Sequence, residues 1–360
     1  MNVPRRRQLL YAVIVAVVFF AAAEGVARLA LRTATEPALR PDLYFFSAHS
    51  GFVADDHLFW RMPPRAVVDV KGREVHSNAF GLRDHDFPLE KPRGEIRILS
   101  IGESGTFGEG VERDETYTQR LEAKLRAAYP KQPFEAINAG LPSYTSFQGM
   151  TYLRREGLRF SPDLVLVYFS GNDFLPSYFV DDTAQAAGQP TRYGRGFSDR
   201  EVYQRRFLIP GWTTLRRSGL VRILAPPLLG AERRLRQTGR VDPHTKLPVR
   251  VPDADRRFTL TQIVRLSRGA GAKVLLLLPP YGNWLERDPI LLEIGRTLDV
   301  PVLDLKQVRL DYDDAHFGED EMSTFFLDPM HPSVLGHKVC AEAIFAFIVE
   351  RHLLPLEAAR

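Results

Sequence analysis

Two separated stretches of this chain carry residue types that together could activate a hydroxyl. One is Gly102-Glu103-Ser104-Gly105; the other, near the far end, is Asp328-Pro329-Met330-His331. A serine hydroxyl is a weak nucleophile at neutral pH unless a base takes its proton during attack. Histidine titrates near neutrality, which suits His331 to that task. Asp328, three residues earlier, is local enough to accept the other ring N–H and fix tautomer and orientation. Glycines flanking Ser104 let the backbone turn sharply and expose Oγ. Alone, Ser104 reads as a structural turn serine; Asp328 and His331 in register make it a candidate nucleophile. Two further turns, Asn138-Ala139-Gly140 and Gly171-Asn172-Asp173, also stand where apolar runs end. In isolation these read as a strand-ending glycine and as an Asx turn capping a helix.

Such chemistry needs elements that carry these turns to one edge. The apolar run 97–102 reads as a strand, and 116–129 carries Tyr117, Leu121 and Leu125 at helical spacing. Strand 134–138 and helix 145–158 follow. The run 164–169 is continuously apolar, as in a strand buried on both faces of a parallel sheet. Then come helix 260–267, strand 273–278, helix 291–298 and strand 302–305. Pro332 is expected in the first turn of a helix reaching about position 352. Strands alternating with helices predict an α/β fold, a doubly wound, mainly parallel sheet sandwiched by helices. Ligands in such sheets sit beyond the carboxyl ends of the strands. His331 meets Ser104 only if the last helix starts beside the first strand, which this topology allows.

The four turns, in this order and at these strand ends, resemble the consensus blocks of the SGNH/GDSL hydrolases. The resemblance covers about 95–350 apart from an insertion. It implies a flavodoxin-like SGNH fold and an ester-bond hydrolase with Ser104, Asp328 and His331 as triad, needing no cofactor and no metal. It also nominates the oxyanion donors: the backbone N–H groups of Ser104 and Gly140 and the side-chain amide of Asn172. Losing one such donor typically costs about 10²–10³ in turnover. The family block reads Gly-Asp-Ser-Leu, whereas here Glu103 replaces Asp and Gly105 replaces Leu. Glu103 is expected to keep the charge and adjust hydrogen bonds around the turn, affecting rate and substrate preference more than reaction type. The stretch His76-Ser-Asn78-Ala-Phe-Gly81-Leu-Arg83 resembles an element found before the first block in membrane-anchored members, and is expected to pack on the catalytic domain.

The chain begins with Arg5, Arg6 and Arg7 before an uncharged apolar run, 9–23. That pattern keeps the N-terminus cytoplasmic and sends the remainder across. Fifteen residues fall short of the ~20 that span a bilayer. The apolar character resumes after Glu24, with Val26, Ala27, Leu29, Ala30 and Leu31, and Glu24 and Arg28 stand four apart, as a helical ion pair would. An uncleaved signal anchor over 1–32 is favoured, against cleavage after Ala21-Ala22-Ala23. The catalytic domain would then lie outside the cytoplasm, on the periplasmic or extracellular face. Positive-inside charge explains Arg6-Arg7 more cheaply than a twin-arginine signal.

Residues 33–94 read as an extended region packing on the core, with a hairpin of 65–70 and 73–76 around Lys71-Gly72. The hydrolase domain runs 95–355, interrupted by an insertion at about 181–255. Within it, 192–250 holds thirteen arginines and one lysine against four acids, interleaved with Phe207, Trp212, Ile223 and Leu228. This stretch reads as a partly helical cap over the active-site edge. Its charge fits a solvated surface, anionic lipid headgroups or an anionic substrate.

A net charge of +4 on 360 residues, without zinc-type spacing or an RNA-binding signature, argues against a nucleic-acid partner. The single cysteine, Cys340, excludes an intramolecular disulfide and reads as a small buried hydrophobe on a helix. His337 reads as structural or solvent-facing. The acidic run Asp311-Tyr-Asp313-Asp314-Ala-His316, with Glu319, Asp320 and Glu321, fails the EF-hand pattern because His316 stands at the turn-glycine position. It reads as a solvated loop.

The sequence therefore points to a membrane-held esterase or deacylase working through an acyl-serine on O-acylated envelope glycans or lipid-like esters. The same triad would serve an O-acyltransferase that passes the acyl group to a polysaccharide hydroxyl. A catalytically silent scaffold or glycan-binding module on the same fold is the third reading, opposed by the intact triad and supported only by the altered Glu103-Ser104-Gly105 turn.

Overall fold

A computed structural model describes residues 5–33, 49–55, 57–175, 178–180, 192–194, 198–205, 218–224, 249–281, 288–316 and 324–356. The chain starts with helix α1 (Arg5–Thr33). Five short strands follow: β1 (His49–Ser50), β2 (Val53–Asp55), β3 (Phe59–Arg61), β4 (Val67–Val70) and β5 (Arg73–His76). β4 and β5 form the expected antiparallel hairpin. Its tip places Lys71 (φ 50°) and Gly72 (φ 82°) in the left-handed region, which the glycine tolerates without cost.

The α/β unit runs β6 (Ile96–Gly102), α2 (Ser104–Phe107), α3 (Tyr117–Ala128), β7 (Phe134–Gly140), α4 (Ser146–Arg155), β8 (Leu164–Tyr168) and α5 (Gly171–Phe174). After β9 (Tyr178–Val180), β10 (Arg192–Gly194), α6 (Asp199–Arg205) and α7 (Gly219–Leu224) it resumes with α8 (Asp253–Gly269) and β11 (Lys273–Leu278). It ends with α9 (Pro289–Thr297), β12 (Val302–Asp304), α10 (Leu305–His316) and α11 (Val334–Glu350). Five strands form one parallel sheet in the order β12-β11-β8-β6-β7, the doubly wound, flavodoxin-like arrangement expected.

Successive residues along each central strand enter opposite cores. Leu99, Ile101, Ile137, Val165, Val167 and Leu276 face α4, α8 and α9, while Ile98, Ala136, Leu164, Leu166, Leu275 and Leu277 face α3, α10 and α11. This explains why the strands read as unbroken apolar runs, since each leucine or valine taken from water contributes about 1.5–3 kcal/mol. Trp60, Met62, Val68, Val70 and Phe87 join the first of these cores, so residues before β6 pack into the same apolar mass as the sheet. In register, Gly102 of β6 pairs with Gly140 of β7 and with Tyr168 of β8. Three strands thus end level, and their turns emerge along one edge.

Three expectations are corrected. Helix α8 starts at Asp253, well before position 260, because Pro252 and the acids Asp253 and Asp255 make a favourable first turn. Helix α11 starts at Val334 with Ser333 as its cap, the hydroxyl accepting Gly336 N–H at 3.2 Å. Pro332 therefore lies before the helix, bridged to Phe326. The acidic run at 311–316 is not a loop but the end of α10, held by Arg309–Asp313 at 3.1 Å, Gln307–Asp311 at 2.7 Å and a Tyr312–His316 stack. Those groups stand four apart, one helical turn. Glu319, Asp320 and Glu321 lie outside the described residues.

Residues Arg6–Leu29 of α1 make a continuous stretch of 24 residues whose most apolar 18 have mean hydropathy 2.4, long and apolar enough to cross a membrane. The helix runs straight through Ala21–Ala23. Glu24 accepts Arg28 Nε at 2.6 Å, as its spacing suggested. It also accepts Ser218 Oγ at 2.7 Å and the N–H groups of Gly219 and Leu220, so α1 caps the first turn of α7 in the insertion. Most of the basic stretch of the insertion, with Phe207, Trp212 and Leu228, lies outside the described residues.

Candidate active site

Ser104 opens α2 immediately after β6, so its N–H belongs to a first helical turn and has no intrahelical acceptor. Gly105 is required here: a Cβ would lie 2.8 Å from the Tyr168 ring. This is the physical reason a leucine cannot stand at that position. Across the edge, the 325–333 loop is closed by Leu327 N–H to His331 O and by Ser333 N–H to Phe325 O, each 2.8 Å. That closure aims His331 at the end of β6. His331 Nε2 lies 2.9 Å from Ser104 Oγ, and Nδ1 lies 2.6 Å from Asp328 Oδ2.

The other Asp328 oxygen accepts the N–H groups of Met330 at 2.8 Å and His331 at 2.9 Å. Partial burial opposes ionisation of Asp328, but these hydrogen bonds outweigh it and hold its carboxyl below the usual range. Asp328 is therefore a charged acceptor for imidazole across the neutral pH range. Asn172, in the turn after β8, donates Nδ2 to Tyr144 O at 3.1 Å. An amide has a second N–H, so that bond orients the group without exhausting it.

Gly140 departs from expectation. Its N–H donates to Asn138 Oδ1 at 3.0 Å, inside the strand end, and Asn138 Nδ2 in turn holds Thr106 O at 2.8 Å. A Cβ at Gly140 would overlap Phe107 N and Thr106. The glycine is thus explained by the close approach of α2 to β7, and its N–H is already committed.

Glu103 carries more than the sequence suggested. Its side chain is fully buried and accepts Gly171 N–H at 3.3 Å, Asn172 N–H at 3.1 Å and the Tyr281 hydroxyl. Burial pushes its carboxyl up to about 8. Burial thus pulls it toward the neutral form, against the donors from Gly171, Asn172 and Tyr281 and the nearby Arg256 cation, which favour the charge. Beneath it, Arg256 ion-pairs with both Asp173 and Asp288, all three fully buried, and donates to Phe169 O at 3.1 Å. Asp173 also accepts Ser146 N–H at 2.7 Å, tying the third turn to α4.

Arg83, from the segment preceding β6, is buried and donates to the carbonyls of Phe107, Gly108 and Val111, closing the C-terminal end of α2. Asp84 accepts Asn138 N–H at 2.7 Å. Arg250, at the return from the insertion, donates to Ser143 O at 2.7 Å and to Gln148 Oε1 at 3.0 Å. Arg256 and Arg250 were not singled out as site-building residues from sequence, and Arg83 was read only as part of a packing segment. The one available signal was charge in otherwise apolar or turn-forming surroundings.

His337 is buried; its Nδ1 accepts Tyr117 N–H at 3.1 Å, and burial pushes its pKa down to about 3. It is structural, not solvent-facing. Cys340 is buried on α11, and burial pushes its thiol up to about 12. Among the described residues one group could hold a metal, His85 with Glu122 and Glu135. However, His85 Nδ1 lies 3.0 Å from Asp84 Oδ1 and Nε2 lies 3.0 Å from Glu135 Oε1. Those two carboxylates push His85 up to about 10, favouring the imidazolium over a neutral metal ligand.

The model of the GDSL-like lipase/acylhydrolase family matches residues 100–339, which takes in every turn described above. This chain belongs to that family. The GDSL-like protein is accordingly an ester-bond hydrolase. No curated protein matches its sequence. Solved structures with similar folds include Axe2, an acetylxylan esterase from Geobacillus stearothermophilus, at 16% identity over 73% of this chain and 97% of that one, with a TM-score of 0.43. LAE5, an alpha/beta hydrolase enzyme from the metagenome of Lake Arreo, Spain, shares 17% identity over 72% of this chain and 96% of its own, with a TM-score of 0.42. TesA shares 16% identity over 72% and 99%, with a TM-score of 0.40.

Proposed function

We propose that this GDSL-like hydrolase cleaves esters through an acyl-Ser104 intermediate, with His331 as general base and acid and Asp328 as its orienting carboxylate. The observation that carries the reading is the 2.9 Å contact between His331 Nε2 and Ser104 Oγ. As Oγ attacks the ester carbonyl, its proton passes to Nε2 and the imidazolium is stabilised by Asp328. The tetrahedral oxyanion is held by the Ser104 N–H and the second N–H of Asn172 Nδ2, neither of which repels developing negative charge. Imidazolium protonates the departing alcohol; water then enters and releases the acid.

The substrates proposed are O-acylated envelope glycans or lipid-like esters, met outside the cytoplasm by a domain that α1 anchors in the membrane. The straight run of α1 past Ala23 and the seating of α7 on Glu24 support an uncleaved anchor. Residues 181–255 are proposed to cap the active-site edge, supported by the grip of Arg250 on Ser143.

A fluorophosphonate probe tests the reading. Labelling of the folded wild type that vanishes in Ser104→Ala is expected, and a folded, unlabelled wild type rejects it. Fractionation tests the anchor: a soluble mature protein beginning at Glu24 rejects that part.

A further inference from the structure

A second carboxylate stands beside the imidazole of His331, near the same ring nitrogen that faces Ser104. Glu109 Oε1 lies 3.7 Å from His331 Nε2, the ring nitrogen that faces Ser104. The Glu109 side chain is only 7% exposed. It is firmly placed: Glu109 N–H donates to Ser104 O at 3.1 Å, and Lys71 Nζ, from the tip of the β4–β5 hairpin, is ion-paired with Oε1. On either side, Arg83 holds Gly108 O and Val111 O, and Arg73 holds Gly110 O. Three cations from the extended region before β6 therefore clamp the loop that carries Glu109 and, at its far end, Glu112, which pairs with Arg73 at 2.8 Å.

We propose that Glu109 positions the deacylating water, so that this site favours hydrolysis of the acyl-enzyme over transfer to an alcohol. The proposal rests on the acyl-Ser104 reading. Once Oγ is esterified it has no proton to share, and Nε2 takes its hydrogen bond from the incoming nucleophile. Two acceptors 3.7 Å apart leave a place for one oxygen within hydrogen-bond reach of both. Water fills that place with both its protons, one on Nε2 and one on Glu109 Oε1, and its lone pair is left to face the acyl carbon. An alcohol has one proton. It can satisfy Nε2 or Glu109 but not both, and its carbon substituent takes the direction of the second acceptor. A desolvated carboxylate left facing an alkyl group is unfavourable.

The step balances. A water lone pair forms the new C–O bond to the acyl carbon while one water proton passes to Nε2. The tetrahedral intermediate collapses with cleavage of the bond to Ser104 Oγ, and Oγ takes the proton from the imidazolium. The second water proton leaves with the carboxylic acid product. Lys71 holds the Glu109 carboxylate at the bridging position and offsets its charge, so that it does not capture the imidazolium as a direct ion pair.

The test is stopped-flow hydrolysis of p-nitrophenyl acetate by the full-length, detergent-solubilised protein, with methanol as competing acceptor. In Glu109→Gln, release of the first p-nitrophenolate per enzyme should stay within about twofold of wild type, while turnover after it falls about 10- to 100-fold. Mass spectrometry should find acetyl-Ser104 accumulating, and the ratio of methyl acetate to acetate should rise. Lys71→Met should shift the same two readouts in the same direction by less; wild-type behaviour there removes the role given to Lys71. Equal slowing of first release and turnover in Glu109→Gln, or an unchanged methanol-to-water ratio, overturns the proposal. If wild type and variant both turn over without any acetyl-Ser104, the acyl-serine reading itself has failed.

Discussion

The carboxyl of Glu103 accepts the backbone N–H of Asn172 at 3.1 Å, so the residue preceding the proposed nucleophile fixes the residue that carries the proposed oxyanion donor. Burial pushes Glu103 up to about 8 from 4.5, and a neutral group suits a place beside a developing oxyanion. Because the folded value is raised, the stabilisation belongs to the protonated form. It is complete below about pH 4.5 and is lost as pH climbs through 8. Glu103→Gln, which cannot ionise, should flatten the fall in stability over that window and keep kcat within about tenfold. Glu103→Ala should lose about 10²-fold in kcat by freeing the Asn172 turn. Urea unfolding at several pH values, with kcat on a chromogenic ester, reads both; an unaltered stability profile in Glu103→Gln counts against the protonated carboxyl.

Ser104→Ala and His331→Ala should each lower kcat by about 10⁴- to 10⁶-fold, and Asp328→Asn by about 10⁴-fold. Residues that act as one unit do not add, so the Ser104→Ala/His331→Ala double variant should be no slower than either single one. Steady-state rates at unchanged melting temperature are the readout. Additive losses in the double variant would show that the two residues work independently.

Arg256 is the shared partner of Asp173 and Asp288 under the third turn. Arg256→Leu leaves two carboxylates buried without their cation, and should cost about 3–5 kcal/mol of stability. Combining it with Asp173→Asn and Asp288→Asn should restore part of that loss, because the orphaned charges go as well. Chemical denaturation measures this, and a triple variant weaker than Arg256→Leu contradicts the charge argument.

Burial pushes His337 down to about 3 from 6.5. With a depressed folded value, its contribution is present above about pH 6.5 and is lost as pH falls toward 3. His337→Gln keeps an acceptor for Tyr117 N–H and should cost about 1 kcal/mol at pH 7. It should also make the protein relatively less sensitive to acid between pH 6.5 and 3. Acid-unfolding curves of the two proteins that stay parallel over that range would remove the linkage.

The strands were legible in the chain because each lies between two apolar layers, as the unbroken runs at 164–169 and 273–278 show. Register then follows from strand pairing, which is why turns at Gly102, Gly140 and Gly171 could be expected along one edge. Helix boundaries were less legible. Whether Pro332 lies inside or before α11 depends on which side chain caps the first turn, and Ser333 outcompetes it. The acidic run at 311–316 was misread because its charges pair with each other along α10, and composition alone does not distinguish a paired helix face from a solvated loop.

What the amino-acid order determined by itself was the local chemistry: a serine flanked by glycines, an aspartate three residues before a histidine, and alternating elements able to bring them near. Those properties are short-range, set by backbone freedom and by side chains a few residues apart. Folding decided which groups are spent and which remain available. Gly140 gives its N–H to Asn138, burial pushes Glu103 toward neutrality, and Glu109 arrives beside His331 through a loop clamped by Lys71, Arg73 and Arg83. The outcomes at Glu103 and Glu109 depend on desolvation and on partners distant in the chain, while Gly140 turns to Asn138 two residues away, which in turn is held by Thr106 from the approaching α2.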